Sequence, residues 1–324
     1  MAEIKSIGVL TAGGDAPGMN ACIRAVTRVA RHYDIKVLGV NHGFTGLIKG
    51  DYVDLIRSSV SNIIQRGGTI LKSARTPEFL NPKGRAQAYE SMRAAKMDGL
   101  VIIGGDGTSQ AGDAFCKEYD IPVVGCPGPI DNDLYGTDFT IGFDTAINTA
   151  LESIDKIRDT ADAFERTFYI EVMGRTSGFI ALDVGLSCGA EFIAIPEHHT
   201  QVDAMLDIFK GQRSTKRSNM IVVAEGDESG GALKLAEAVK AKTGIDYRVT
   251  ILGHVQRGGS PTARDRILAT KLGAAAVEAL RAGKSNVMTG EVRGNITLTP
   301  FAEASGRKKP IDDIMIELSK ILAE

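Results

Sequence analysis

Two glycine-rich segments and one acidic segment contain the residue types that phosphate chemistry requires. Residues 12–20 read AGGDAPGMN and residues 104–108 read GGDGT. Glycines in a strand-to-helix turn let the backbone approach a phosphate, and the following helix offers N–H groups without an intrahelical acceptor. Residues 128–133 read GPIDND, and such carboxylates bind magnesium or accept a proton in phosphoryl transfer. Together the segments indicate a phosphoryl-transfer site, although each alone is also typical of an ordinary turn.

A fourth segment adds cations to this set. Residues 253–261 read GHVQRGGSP, and Arg248 precedes them closely. A guanidinium pairs with two phosphate oxygens at once, so the segment suits a phosphate monoester. The chain has no GxxxxGK[ST] loop, no third glycine after Gly107 to complete a dinucleotide fingerprint, and no HRDxxxxN loop. A nucleotide would therefore be bound through a different pattern.

The elements that position these segments alternate along the chain. Short apolar runs, typical of strands buried on both faces, occur at residues 7–10, 100–103, 121–124, 169–173, 220–224 and 249–252. Helical spacing occurs at residues 21–31, 84–97, 145–158, 202–210, 232–242, 263–280 and 312–324. The alternation predicts an α/β protein, with the glycine-rich segments at strand ends, where open α/β sheets bind ligands.

Composition restricts the class of protein. The 324 residues carry 38 Lys and Arg against 40 Asp and Glu, so neither nucleic acid nor a membrane surface is a predicted partner. No apolar run approaches the roughly 20 residues of a membrane-spanning helix, and no signal region opens the chain, so we expect a cytoplasmic protein. The four scattered cysteines are predicted to be reduced packing residues, and the five histidines lack zinc-site spacing.

Five segments, taken in order, resemble the bacterial ATP-dependent 6-phosphofructokinases over nearly the whole chain: residues 13–20, 104–108, 130–133, 171–175 and 253–261. The resemblance implies an α/β phosphofructokinase fold with two Rossmann-like three-layer domains and mostly parallel sheets. It implies an ATP-binding domain over residues 1–140 plus part of 255–305, and a sugar-phosphate domain over residues 141–254 plus the C-terminal helix.

The resemblance also implies an activity, the transfer of the γ-phosphoryl group of magnesium ATP to the 1-hydroxyl of fructose 6-phosphate. Asp131 matches the general base, Asp106 the Mg²⁺ ligand, and Arg75 and Arg175 cations that offset charge on the moving group. The matching ATP contacts are Gly14, Arg75, Thr76, Gly105, Asp106, Gly107 and Thr108. The matching sugar-phosphate contacts are Pro129, Ile130, Asp131, Arg166, Met173, Gly174, Arg175, Glu225, Arg248, His254, Val255, Gln256 and Arg257.

Assembly and regulation follow from the same resemblance. Arg166 and Arg248 match the pair that a neighbouring subunit contributes, which implies a homotetramer. An effector site for ADP or phosphoenolpyruvate is implied at Arg24, Arg28, Arg57, Arg158, Gly189, Glu191, Lys216, Arg217 and Ser218. Pyrophosphate-dependent relatives carry bulkier residues at the positions of Gly107 and Gly128, so the two glycines favour ATP.

One residue departs from the family pattern. Pro129 stands where the family has threonine, so a hydroxyl and a backbone N–H are both lost beside Asp131. Three hypotheses follow: an active ATP-dependent 6-phosphofructokinase, another kinase built on the GGDGT segment such as an NAD or lipid kinase, and a weakly active regulatory or binding paralogue. Retention of Asp131, Asp106, Arg75 and Arg175 favours the first.

Overall fold

The longest buried strands of the chain lie side by side in a seven-stranded sheet. Its strands, in spatial order β11-β10-β5-β4-β1-β2-β3, are β1 (Ser6–Thr11), β2 (Lys36–Val40), β3 (Tyr52–Asp54), β4 (Gly99–Gly104), β5 (Val123–Pro127), β10 (Val287–Val292) and β11 (Asn295–Pro300). The five central strands pair in parallel, and β3 and β11 are antiparallel edge strands. The chain leaves β1 toward β2 and returns to β4 on the other side, so the topological switch point lies between β1 and β4.

The structure is a computed structural model that describes residues 4–200, 202, 205–206 and 218–322. Its residues form two compact units. The first comprises the described residues up to Ile130, with Leu134–Thr145 and Arg257–Lys309. The second comprises Asp131–Asp133, the described residues from Ala146 to Gln256, and those from Pro310 onward.

The second unit holds a parallel sheet of four strands in the order β7-β8-β6-β9. These are β6 (Thr167–Val172), β7 (Phe192–Ala194), β8 (Asn219–Ala224) and β9 (Tyr247–Ile251). The chain passes from β6 to β7 and β8 on one side and later adds β9 on the other. The carboxyl ends of β6, β8 and β9 therefore meet at one edge, on either side of a second switch point.

Ten α-helices cover the two sheets within the described residues. They are α1 (Met19–His32), α2 (Gly43–Lys49), α3 (Pro82–Ala94), α4 (Asp106–Tyr119), α5 (Phe143–Phe164), α6 (Phe179–Cys188), α7 (Ala232–Thr243), α8 (Ala263–Arg281), α9 (Phe301–Gly306) and α10 (Asp313–Ile321). None of them is long and apolar enough to cross a bilayer.

Burial of apolar side chains on the sheets accounts for the packing. In the first unit, Leu100 and Ile102 of β4 pack with Phe44, Phe79 and Phe115 in one core cluster. In the second, Tyr169, Ile221 and Val223 pack against Leu235 and Val239 of α7. Because neighbouring residues of a strand face opposite sides of the sheet, fully buried strands such as β4 need helices on both faces.

A buried carboxylate determines where α5 begins. Asp265 accepts hydrogen bonds from the N–H of Gly142 at 2.9 Å and from the N–H of Thr145 at 2.8 Å. It also accepts one from the Thr145 hydroxyl. Burial raises the pKa of the Asp265 carboxyl, although these donors oppose the shift. The first turn of α5 thereby obtains the acceptor that its own backbone lacks.

The α/β prediction is confirmed, and each predicted strand overlaps an observed one. The predicted helices correspond to α1, α3, α5, α7, α8 and α10, whereas most of residues 202–210 lies outside the described residues. The apolar runs did not indicate β2, β3, β7, β10 and β11, because these strands are short or interrupted by polar residues and glycine. All four cysteines are free, and Cys22 and Cys126 are buried, as expected of packing residues.

Candidate functional site

The first glycine-rich segment follows β1 and is held against β4 and the chain around Ala74. The N–H of Ala12 donates to the carbonyl of Ile103 at 3.0 Å, and that of Gly13 donates to Ala74 at 3.4 Å. The Ser73 hydroxyl donates to the Gly13 carbonyl at 2.6 Å. Gly13 has a φ of 84°, a left-handed conformation that favours glycine. The carboxyl end of β1 is therefore a tight turn whose carbonyls already have donors.

The GGDGT segment lies next to this turn, at the end of β4. A Cβ on Gly104 would lie 2.5 Å from the carbonyl oxygen of Ala12, so only glycine fits there. Thr108 donates from its hydroxyl to the same carbonyl at 3.3 Å. α4 begins at Asp106, and its first N–H groups have no acceptor within the helix. Two neighbouring strand tips thus place glycine-rich backbone beside the start of a helix, an arrangement that suits an anion.

The two glycines that favour ATP differ in their surroundings. A Cβ on Gly107 would have no other atom within 4 Å, so the space beyond it is open. A Cβ on Gly128 would lie 3.1 Å from Cε of Met19 and 3.4 Å from Cγ2 of Ile103. Packing within the protein therefore explains glycine at position 128. Only at Gly107 does the absence of a side chain leave room for a ligand.

Arg75 and Thr76 are brought to the same end of the sheet. Thr11 of β1 donates from its hydroxyl to the carbonyl of Lys72 at 2.7 Å, which fixes the chain that leads to Arg75. The Thr76 hydroxyl lies 2.8 Å from that of Thr45 on α2. Arg75 itself is exposed. The predicted ATP residues Gly14, Arg75, Thr76 and Gly105–Thr108 therefore lie around the carboxyl ends of β1 and β4.

Three predicted sugar-phosphate residues, Pro129, Ile130 and Arg257, also lie in the first unit. Arg257 donates from Nη1 to the carbonyl of Asp15 at 3.1 Å, and a Cβ on Gly14 would lie 2.6 Å from the same nitrogen. Pro129 is half-buried, and its Cβ lies 3.5 Å from where a Cβ on Gly105 would be. The guanidinium and the proline ring therefore each lie against the backbone of a predicted ATP residue. Ile130, which follows, is fully buried.

In the second unit, the loop after β6 is tied down by acidic and amide side chains. The N–H of Arg175 donates to Oε1 of Glu225 at 2.8 Å, and that of Gly174 donates at 3.4 Å. The N–H of Met173 donates to Oε1 of Gln256 at 2.9 Å. Arg175 is exposed and left-handed, with a φ of 55°. Such a conformation costs energy in a residue other than glycine and persists only where its surroundings impose it.

Asp131 is attached to the same loop. Its carbonyl accepts the hydroxyl of Ser177 at 3.2 Å, and Ser177 also donates to the Gly174 carbonyl at 3.0 Å. The Asp131 residue is only 2% exposed. His254 and Val255 are exposed in a 3-10 helix at Gly253–Arg257. The structure thus brings Asp131, Met173, Gly174, Arg175, Glu225 and Gln256 together in one unit.

Two predicted sugar-phosphate arginines lie at the opposite edge of this sheet. Arg166 immediately precedes β6, and Arg248 pairs with Phe168 near the amino end of β9. The six residues of β6 separate Arg166 from Met173, a distance of roughly 20 Å. The guanidinium of Arg166 lies 4.4 Å from the ring of Phe164. Within one chain these arginines therefore do not join Met173 and Glu225.

The predicted effector residues occur in both units. In the second unit, Arg158 donates to the carbonyls of Cys188 and Gly189, and the N–H of Glu191 donates to Met220 at 2.9 Å, two residues beyond Ser218. Burial raises the pKa of the Cys188 thiol to about 11, against the opposing charge of Arg158. In the first unit, burial and the charge of Arg28 lower the pKa of Arg24. Arg57 is exposed, and Lys216 and Arg217 lie outside the described residues.

Few side chains among the described residues are placed to hold a metal ion. Among the described residues, no group of three or more His, Cys, Asp and Glu side chains could hold a metal ion. Asp106 is half-buried in the first turn of α4, and its Oδ2 accepts Nε2 of Gln110 at 2.8 Å. Mg²⁺ in phosphoryl-transfer sites is usually held by one or two carboxylates with substrate phosphates and water. A single carboxylate therefore fits Mg²⁺ that enters with a phosphorylated substrate.

The family model for phosphofructokinase matches residues 6–280 of the chain. The chain belongs to the phosphofructokinase family. A relative from Thermus thermophilus named ATP-dependent 6-phosphofructokinase 1 is 57% identical over 321 residues, which cover 99% of this chain and 100% of the relative. The resemblance seen in the sequence is thereby confirmed.

Solved structures agree with this family and fold. A phosphofructokinase from Saccharomyces cerevisiae superimposes with a TM-score of 0.88 at 34% identity, covering 98% of this chain. The chain spans only 46% of that yeast chain. A pyrophosphate-dependent phosphofructokinase from Marinobacter aquaeolei superimposes with a TM-score of 0.84 at 26% identity, covering 95% of this chain and 86% of the other. Because its name gives a different phosphoryl donor, the fold alone does not define the donor.

Sequence reasoning missed several residues that hold the site in place. Ser177 binds the Asp131 backbone, Glu197 accepts the N–H of Gly178 at 2.9 Å, and Asn20 binds the 66–70 segment through three hydrogen bonds. Ser73 binds the Gly13 carbonyl. Asn20 stands within a recognised segment and Ser177 lies just after one, whereas Ser73 and Glu197 carry no such signal, because nothing in a residue type specifies which distant backbone group it contacts.

Proposed function

We propose that this phosphofructokinase is a glycolytic, ATP-dependent 6-phosphofructokinase. It transfers the γ-phosphoryl group of ATP to the 1-hydroxyl of fructose 6-phosphate and forms fructose 1,6-bisphosphate and ADP. The observation that carries the choice of donor is the open space beyond Gly107, which accommodates the part of ATP that pyrophosphate lacks. The name of the Thermus thermophilus relative supports the same donor.

Asp131 acts as the general base in this proposal. Its carboxylate accepts the proton of the 1-hydroxyl while that oxygen forms a bond to the γ-phosphorus, and the bond to the bridging oxygen of ADP breaks. Its backbone is held by Ser177, which supports a fixed direction for proton transfer. Such a base contributes about 10²–10⁴-fold to the rate.

Cations and donors offset the charge of the reacting phosphates. Arg75 and Arg175 are the cations proposed for this role, and the Glu225-bound loop holds the backbone of Arg175. Asp106 is the residue that would hold Mg²⁺. When bound, Mg²⁺ neutralises charge on the phosphate oxygens. The N–H groups at the start of α4 receive phosphate oxygens directly.

The sugar phosphate is bound by Met173, Gly174, Arg175, Glu225, His254 and Arg257. Another copy of the chain supplies the remaining contacts. Because Arg166 and Arg248 lie at the amino ends of β6 and β9, they serve the site of a neighbouring subunit. This requirement supports a homotetramer. The groups around Arg24 and Arg158 are proposed to bind ADP or phosphoenolpyruvate as effectors.

Pro129 supports one alternative, a weakly active regulatory or binding paralogue. Its ring lies against Gly105 in place of a threonine hydroxyl. Loss of one transition-state donor costs about 10²–10³-fold in turnover. Under this alternative the ligand sites remain and the chemistry is slow.

The first experiment measures steady-state phosphorylation of fructose 6-phosphate with magnesium ATP and magnesium pyrophosphate in parallel, for the natural chain and the Pro129→Thr variant. Turnover with ATP alone, unchanged in the variant, is expected. Turnover near zero that threonine restores would support the paralogue instead. Turnover with pyrophosphate alone would contradict the assignment of the donor, and no turnover of fructose 6-phosphate in either chain would favour another kinase of the GGDGT type.

The Asp131→Ser variant tests the base separately from binding. We expect kcat to fall by about 10²–10⁴-fold, while fructose 6-phosphate binding, measured calorimetrically, changes little. Equal loss of binding and turnover would count against the assigned role.

A further inference from the structure

Gln256 differs from its neighbours in the GHVQRGG segment because its side chain is enclosed by protein. The residue is 0% exposed, whereas Val255 beside it is 58% exposed. Its Oε1 accepts the N–H of Met173 at 2.9 Å, and its Nε2 donates to the carbonyl of Ala146 at 3.5 Å. Both ends of the amide therefore bind backbone groups within the second unit.

The contact with Met173 occurs where β6 ends and the loop begins. Val172 is the last residue of β6, and its carbonyl accepts the N–H of Glu225 at 2.9 Å. The next two N–H groups, those of Gly174 and Arg175, donate to the Glu225 side chain. Gln256 thus supplies the first acceptor of the loop, and Glu225 supplies the following ones. A buried N–H that loses its acceptor is costly, so the loop depends on this amide.

The backbone after Met173 lies in a closely packed loop. Gly174 has a φ of 154° and Arg175 a φ of 55°. A Cβ on Gly226 would lie 1.7 Å from the Arg175 carbonyl oxygen, which shows how closely β8's own loop encloses this segment. A shift at Met173 would therefore be passed on to Arg175, rather than absorbed between them.

We propose that Gln256 is a positioning residue that fixes the loop of residues 173–175 through the Met173 backbone, and that it does not touch the sugar phosphate. This inference rests on the proposed function, which assigns the loop to fructose 6-phosphate. It replaces the direct contact expected from the sequence, because an amide with 0% exposure and two backbone partners has no surface to offer a ligand.

Two variants at position 256 distinguish the loss of both hydrogen bonds from the loss of only part of them. Gln256→Met preserves the approximate shape of the side chain and removes both hydrogen bonds. Gln256→Glu retains an oxygen that can accept the Met173 N–H. We expect the KM for fructose 6-phosphate to rise roughly tenfold in Gln256→Met, with the KM for ATP and kcat within about threefold of the natural chain. In Gln256→Glu, the KM for fructose 6-phosphate should lie between the values of the natural chain and of Gln256→Met.

Hydrogen exchange supplies a readout that needs no activity. Mass spectrometry of a peptide containing Met173 is expected to show exchange roughly tenfold faster in Gln256→Met and closer to the natural rate in Gln256→Glu. Gln87 lies exposed on α3 in the other unit, so Gln87→Met applies the same chemical change as a control and should alter neither the exchange nor the KM values.

The outcomes are distinguishable. Faster exchange at Met173 with a selective rise in the fructose 6-phosphate KM supports the inference. Unchanged exchange, or an equal rise in both KM values, overturns it. If Gln256→Met does not fold, Gln256→Glu decides. A change in Met173 exchange together with equal changes in the KM for ATP and the KM for fructose 6-phosphate would then overturn the inference. A natural chain that leaves fructose 6-phosphate unphosphorylated while Met173 exchange still responds would instead refute the proposed function.

Discussion

The turn after β1 and the loop after β6 are both at the carboxyl end of a central parallel strand, yet their backbone is held by different sets of side-chain groups. Around the first, hydroxyl groups donate to backbone carbonyls: Ser73 to Gly13 and Thr108 to Ala12. Around the second, side-chain oxygens accept from backbone N–H groups: Glu225 from Arg175 and Gln256 from Met173.

This difference indicates which groups each region offers to bind an anion. When carbonyls are occupied by donors and a helix begins nearby, the N–H groups at the helix start are the groups presented to a ligand. When N–H groups are occupied by carboxylate and amide oxygens, an anion must be bound by cationic side chains instead. The first region therefore suits a polyphosphate bound by backbone, and the second a phosphate monoester bound by arginine and histidine.

Of the substitutions that test this comparison, Gly107→Asp is expected to change a KM value the most. A carboxylate would enter the open space beside the first turn and repel the phosphates of ATP. We expect the KM for ATP to rise on the order of 100-fold, because like charges in contact cost several kcal/mol. The KM for fructose 6-phosphate should change little. Steady-state kinetics with each substrate varied in turn would test this, and Gly107→Ala is the uncharged control. An unchanged ATP KM would show that the backbone of this turn is not the phosphate site.

Glu225→Ala tests the second region. Without the carboxylate, the N–H groups of Gly174 and Arg175 lose their acceptor, at a cost of about 1–3 kcal/mol. The KM for fructose 6-phosphate should rise roughly 10- to 100-fold, while ATP binding measured by calorimetry stays near its natural value. Glu225→Gln, which keeps one acceptor, should be less affected. Loss of ATP binding of the same size would mean that the two regions are not functionally distinct.

Thr108→Val removes a single neutral hydrogen bond from the first turn. Because the Thr108–Ala12 contact is 3.3 Å long, its loss should cost about 1 kcal/mol or less, which corresponds to an increase of a few-fold in the KM for ATP. Thr108→Ser restores the hydroxyl and should restore the affinity. A variant in which the fructose 6-phosphate KM changes more than the ATP KM would contradict the assignment of this turn.

Gly128→Ala is expected to have the smallest effect on ligand binding. The new methyl would meet Cε of Met19 at 3.1 Å, and a flexible methionine can move, so destabilisation of about 1 kcal/mol is expected. Thermal unfolding should register this change while the ATP KM stays within about twofold. A larger rise in the ATP KM than in Gly107→Ala would show that position 128, and not 107, borders the nucleotide.

The fold could be predicted from the sequence where strands are apolar and continuous. β1 and β4 are buried over every residue, so their composition reveals them. β10 and β11 were missed because Thr289, Gly290 and Thr297 interrupt the apolar pattern. Their pairing with each other and with β5 is a long-range choice that no local pattern encodes.

The candidate site could also be predicted from the sequence only in part. Residue types at strand ends predicted which segments meet a phosphate, because in a parallel sheet the carboxyl ends of neighbouring strands share an edge. Tertiary structure decided which of those residues are exposed. Arg175 and His254 are exposed, whereas Gln256 is sealed inside the second unit, although all three stand in recognised segments.

By itself, the sequence determined the α/β class, the glycine turns and the family, since these depend on local conformation and on the order of short segments. Only the tertiary structure decided that Gly128 faces packed side chains, that Arg166 and Arg248 lie at the opposite sheet edge from Met173, and that Gln256 binds backbone. Those properties depend on residues distant in the chain, and the burial and hydrogen-bond partners of a side chain exist only once those residues have been brought together.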